Sequence, residues 1–241
     1  MLVEVCANSL QSALNAEAAG ADRIELCAAL GVGGITPSHG LLKQVLAQLT
    51  IPVHVLIRPR GGHFTYSNTE FNVMCEDVEY CKALGVAGVV SGVLTSDFAL
   101  DVGRTNELIS LAGAMSFTFH RAFDWVSSPQ QALQQMEDMG VATVLTSGQR
   151  TSAQEGLEEI SVWQQRTALT LMAGGGIGPN NAHLFRRHGI KAIHLSGTHW
   201  GNEVAIQDKI SMNAPKHLAE HQVAVTNEAL IRQTIHQYKK K

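Results

Sequence analysis

Cys6 and Cys27 each close a short run of β-branched and apolar residues, and Glu25 stands two positions before the second of them. Two thiolates at the ends of neighbouring strands, about 4.8 Å apart, suit a soft ion such as Cu(I); small buried cysteines also serve simply as packing. Glu25, His120 and Asp124 supply acid and base groups, and His120 is the natural proton carrier because imidazole ordinarily titrates near neutrality. As mixed oxygen and nitrogen donors the same three would suit zinc or manganese better than Cu(I). Arg58, Arg60 and Arg121 offer guanidinium forks to a carboxylate or phosphate, or else stand as solvated loop residues. Gly174-Gly175-Gly176 and Ser196-Gly197-Thr198 are two small-residue turns, fit either for an anion held by backbone N–H groups or for a tight turn alone. Cys75 and Cys81, six apart on a helical stretch, read as packing.

Gathering residues from position 6 to position 198 into one site requires a repeating scaffold. Eight short runs have strand character: Leu2–Cys6, Arg23–Cys27, Val53–Arg58, Ala87–Ser91, Ser116–His120, Thr143–Ser147, Leu169–Ala173 and Ala192–Ser196. Between them lie helical stretches at Ser9–Ala19, Pro37–Leu49, Thr69–Leu84, Asp101–Ala112, Ser128–Met139, Ala153–Arg166 and Pro179–His188, and Asn227–Tyr238 supplies an eighth. Ser and Thr stand at their starts and glycine at many of their ends, as at Gly20, Gly85, Gly140 and Gly189. This alternation predicts a single-domain (β/α)₈ TIM barrel over 1–241, with a long irregular segment at 199–226 before the last helix. That segment is either a cover for the barrel mouth or a loop.

Strand parity then sorts the side chains. Val3, Val5, Ile24 and Leu26 face the helices, so Glu4, Cys6, Arg23, Glu25 and Cys27 point into the barrel. The same rule turns His54, Leu56, Arg58, Ser116, Thr118, His120, His194 and Ser196 inward, whereas the fourth, sixth and seventh strands show no clean parity. Buried charge must be paired or meet a ligand. Glu4 and Arg23, nearer the amino ends of their strands, suit an ion-pair lattice or a ligand; Glu25, Cys27, Arg58 and His120, nearer the carboxyl ends, stand where barrel active sites are built.

With 241 residues, 45% hydrophobic content and a formal charge of −3, the composition fits one soluble domain handling a small ligand. No long basic run suggests nucleic acid or a membrane surface, and no apolar run is long enough to span a bilayer. The first residues do not read as a signal peptide, which together with few cysteines points to reduced thiols in the cytoplasm. No lysine ends a strand, so a Schiff-base aldolase mechanism is not expected.

Several stretches are shared with a known family. Ala21-Asp22-Arg23-Ile24-Glu25-Leu26-Cys27, Gly33-Gly34-Ile35-Thr36-Pro37-Ser38, Ile57-Arg58-Pro59-Arg60-Gly61-Gly62, Thr118-Phe119-His120-Arg121-Ala122-Phe123-Asp124, Val144-Leu145-Thr146-Ser147-Gly148 and Met172-Ala173-Gly174-Gly175-Gly176 closely resemble the CutC family. The resemblance runs to about Thr198 and implies a (β/α)₈ barrel, a cytoplasmic homo-oligomer (dimer or tetramer) and a role in copper homeostasis, with Cys6 and Cys27 as the matching candidates for Cu(I). Leu195-Ser196-Gly197-Thr198 departs from the family's more serine-rich ending, and the chain past His199 matches poorly. The competing expectation is a barrel enzyme acting on a small anionic or phosphorylated metabolite through Glu25, His120 and Asp124.

Overall fold

The computed structural model of the protein describes residues 1–201, 204–207, 209–210 and 223–240. Eight parallel strands close a barrel in chain order: β1 (Leu2–Ala7), β2 (Arg23–Leu26), β3 (Val53–Leu56), β4 (Gly88–Ser91), β5 (Ser116–Phe119), β6 (Thr143–Thr146), β7 (Thr170–Gly174) and β8 (Ala192–Leu195). Around them run α1 (Leu10–Ala18), α2 (His39–Gln48), α3 (Asn68–Ala83), α4 (Val102–Ala112), α5 (Pro129–Asp138), α6 (Leu157–Gln164), α7 (Ala182–Arg187) and α8 (Glu228–Lys239). This is the (β/α)₈ architecture that the alternation predicts.

Helix starts follow local hydrogen-bond chemistry. The hydroxyls of Ser9 and Ser38 accept from the backbone N–H groups of Ser12 and Leu41, satisfying donors that the first turn leaves free. α3 starts earlier than the Thr69 expectation, because Ser67 and Glu70 form a reciprocal capping box. Pro37 precedes the Ser38 cap, and Pro179 lies in the turn before α7, so neither occupies a first helical turn. α6 starts at Leu157 rather than at Ala153, because the preceding residues belong to a loop tied to the mouth of the barrel.

The strands bury both faces. Outward residues such as Val5, Ile24, Val55, Phe117, Leu171 and Ile193 join the helices in one apolar layer. Register settles the strands whose sequence left parity open: Leu56 pairs with Val90, Leu145 with Met172, and Met172 with Ala192. Val90, Leu145 and Met172 therefore point inward with Leu56 and Ala192, in two small apolar clusters on the barrel axis. Val89 and Val90 made β4 unreadable because valine suits either face.

Both ends of the expected irregular segment are strands. β9 (Thr198–Gly201) pairs antiparallel with β10 (Val223–Thr226), since a ladder satisfies backbone groups that an irregular loop leaves to solvent. Positions 202–203, 208 and 211–222 of that segment lie outside the described residues. Ser12 Oγ accepts from the Thr226 N–H, and Asn15 Nδ2 donates to the Thr226 carbonyl, tying this return to α1. The Tyr238 hydroxyl of α8 donates to the Ile190 carbonyl at 2.6 Å, seating the last helix beside β8. Among the described residues no helix is long and apolar enough to cross a membrane.

Candidate functional site

Adjacent strands place four ionisable groups in contact inside the barrel. Glu4 lies opposite Arg23 on one side and His194 on the other. It accepts from Arg23 Nε at 2.5 Å and from His194 Nδ1 at 2.8 Å, and His194 Nε2 stands 3.7 Å from a Glu25 oxygen. Burial opposes a charge on Glu4, yet the His194 hydrogen bond and the Arg23 charge hold it down at about 2. His194 is raised: burial pulls it down, and the carboxylates of Glu25 and Glu4 outweigh that pull. Glu25 is pushed up by burial and by Glu4, with His194, Cys6 and Arg23 drawing it back.

Cys6 continues this row toward the carboxyl ends of the strands. Its Sγ lies 3.2 Å from Cys27 Sγ, and both thiols are free. The Cys27 contact, burial and the Glu25 charge all push the Cys6 thiol well above its ordinary value. Ligand atoms of Cys6, Glu25 and His194 all lie within 4.8 Å of one another, a spacing that could hold a metal ion. His120 and Asp124, expected as partners of Glu25 in an oxygen and nitrogen donor set, are not part of this cluster.

The row opens into a cavity of about 420 Å³ at the strands' carboxyl ends, where Cys6, Glu25 and His194 form one wall and Arg58, Phe64 and His120 form another. Arg121, Asp124, Gly175, Gly176 and Ser196 also line it. His120 is buried and comes from the end of β5; Gly92 opposite makes room for its ring, since a Cβ there would lie 2.6 Å from Nδ1. Burial, then the nearby Arg58 charge, lower His120 to about 3, so it is neutral at physiological pH. Its Nδ1 accepts the Ala122 N–H at 3.2 Å, which leaves the proton on Nε2, and Nε2 has no partner among the described residues. His120 is thus a neutral, unpartnered donor in the wall of the cavity and not the proton carrier its ordinary pKa suggests.

The remaining expected residues divide by what their polar atoms already hold. Arg58 donates to the carbonyls of Val32, Gly34 and Gly62, and its guanidinium carbon rests 5.1 Å from the centre of the Phe64 ring. Its fork therefore organises two loops, and only Nε is unpartnered. Arg60 is turned away from the cavity: Glu70 of the α3 capping box takes its Nε at 2.5 Å, and backbone carbonyls take its other nitrogens. Asp124 accepts from Arg121 Nε, Thr146 Oγ1, both the N–H and the hydroxyl of Ser147, and the Gln149 N–H. A carboxylate so occupied is a positioning group for the loop after β6, not an available base.

Of the glycine turns, Gly175 and Gly176 reach the cavity, and φ values of +113° and +73° favour glycine at both. Their N–H groups donate to no acceptor among the described residues, and a Cβ on Gly175 would lie 3.4 Å from Arg121 Nη1. Gly174 is packed inside the barrel against Leu145 and His194, and Gly197 against Ile231 of α8. Thr198 begins β9 and donates to the Ser196 hydroxyl. Sequence parity had placed His194 inside without singling it out; what gives it weight is its position between Glu4 and Glu25, set by the closure of β8 onto β1.

Fold and site together define a (β/α)₈ barrel whose mouth combines a thiol pair, an acidic and imidazole cluster, and a separate arginine and imidazole wall. Residues 1–199 match the CutC family model, and the chain belongs to the CutC family. A CutC family protein from Salmonella agona (strain SL483) is 47% identical over 196 residues, covering 81% of this chain and 79% of the relative. A solved structure of CutC from Streptococcus agalactiae, a protein named for copper homeostasis, is 31% identical with a TM-score of 0.77, covering 81% of this chain and 98% of that one. A sialic acid aldolase from Ruminococcus gnavus, 13% identical with a TM-score of 0.61 over 80% of this chain and 67% of its own, shares the fold alone.

Proposed function

We propose that the protein serves copper homeostasis by taking up Cu(I) at Cys6 and Cys27. The observation that carries this reading is the 3.2 Å approach of the two sulfurs on adjacent strands, with Cys6 lining the cavity. Soft thiolates select Cu(I) over the hard cations that carboxylates prefer. With a zinc–thiolate length of about 2.3 Å as a guide, two sulfurs on opposite sides of one ion stand about 4.6 Å apart. Uptake therefore requires the thiols to part by side-chain rotation. It also requires the ion to displace the Cys6 thiol proton, which the Cys27 contact, burial and Glu25 hold in place, so affinity rises with pH. Glu25 and His194 stand ready as additional donors. Free thiols suit a reducing compartment, and the reading places the protein in the cytoplasm; the homo-oligomer rests on the family resemblance alone.

The test is an anaerobic Cu(I) titration against a competing chelator, run on the reduced protein and on the Cys6→Ser/Cys27→Ser variant. Tight one-site binding, abolished in the variant, is expected. Weak binding, or binding that the variant retains, overturns the site.

The orphaned Nε2 of His120 favours a second reading, a barrel enzyme acting on a small anionic or phosphorylated metabolite, with Glu25 exchanging a proton and His120 polarising an oxygen. Replacing His120 by Gln and Arg58 by Ala would impair such a ligand while leaving Cu(I) binding at the cysteines intact.

A further inference from the structure

Arg58 carries a buried charge that no acidic group among the described residues cancels. Its neighbours are three carbonyls, the Phe64 ring and the phenol of Tyr66, which burial keeps neutral, and no described carboxylate lies within ion-pair distance. Among the described residues the other basic groups close to the cavity have acidic partners: Arg121 has Asp124, Arg23 has Glu4, and His194 has the carboxylates on its two sides. A buried guanidinium without a counter-ion is costly, and the cost falls when an anion arrives.

A second observation stands beside the first. His120, 5% exposed, has an Nε2–H with no acceptor, and its ring centre lies 4.9 Å from that of Phe64, the same ring that Arg58 stacks on. One uncancelled positive charge and one orphaned donor therefore share a wall of the cavity. We propose that this wall binds the carboxylate of a small organic monoanion, with Arg58 as counter-charge and His120 Nε2–H as hydrogen-bond donor. The single excess charge favours a monoanion; a phosphate dianion would exceed it and would meet Glu25 and Asp124 across the same space. Leu30, Leu56 and Leu145 give a short carbon skeleton apolar contact, and a hydroxyl or carbonyl on it would face Glu25 and His194. The substrate class that fits is a 2-hydroxy or 2-oxo acid within about 420 Å³.

This assignment deepens the enzyme reading above and rests on it, and the experiment separates the two. Full-length, metal-free protein carrying ¹⁵N-labelled histidine is titrated with lactate, pyruvate and inorganic phosphate while the His120 Nε2–H resonance is followed by NMR. Saturable binding of lactate or pyruvate that moves this resonance is expected, with affinity falling about ten- to a hundredfold in His120→Phe, the loss of one hydrogen bond to a charged group. Should that variant fail to fold, the resonance in the wild type decides. Carboxylate binding that leaves His120 unmoved overturns the assignment. Binding of phosphate alone overturns the carboxylate class and leaves an anion-handling barrel standing, whereas binding of none of the three removes the support for both.

Discussion

The buried imidazoles make the protein acid-sensitive in a way that can be worked out in advance. His120 is lowered to about 3 by burial and then by Arg58, and His54 to about 4 by burial and then by Arg23, with Glu4 opposing. Both are neutral in the folded barrel, while in the unfolded chain they take up protons near 6.5. The stability that this difference carries is complete above the unfolded value and is lost as pH falls toward the folded values. Between about pH 8 and about pH 5 each histidine removes about 2 kcal/mol, so the pair removes about 4 kcal/mol, a large share of a typical domain's stability. Urea unfolding at the two pH values, on wild type, His54→Gln and His120→Gln, measures it. Each variant should lose about 2 kcal/mol less than wild type on acidification, whatever its stability at the higher pH. A His120→Gln protein whose acid loss equals that of wild type would refute the assignment of His120 as a neutral donor.

Two further substitutions probe the interior. Glu4→Gln removes the carboxylate shared by Arg23 and His194 and should cost about 3–5 kcal/mol in urea unfolding, because it strands the buried Arg23 charge and takes the acceptor from His194; an unchanged midpoint would show that the ladder does not depend on this charge. Gly92→Ala places a Cβ 2.6 Å from His120 Nδ1 and should cost about 1–3 kcal/mol while shifting the His120 ring resonances; an unperturbed ring would mean that the close approach relaxes freely.

The eight strands, the helices between them and the inward set of Glu4, Cys6, Arg23, Glu25, His54, Arg58, His120 and His194 follow from the chain itself, because alternation of period two and helix punctuation are local properties that each segment carries alone. The approach of Cys6 and Cys27 was likewise legible from parity on neighbouring strands. The family motifs also lie in contiguous stretches. What the polar groups are free to do was decided elsewhere. Arg58 and Arg60 look equivalent in sequence; carbonyls from residues 32, 34 and 62 occupy one, and a helix cap occupies the other. Asp124 reads as a base until Thr146, Ser147 and Gln149 donate to it. His120 is held neutral only because the closed barrel buries it beside Arg58, and His194 gains significance only when β8 returns to β1, 190 residues from Glu4 in the chain. Hydrogen-bond occupancy, desolvation and charge pairing depend on partners from other strands. Those partners exist only once the barrel closes.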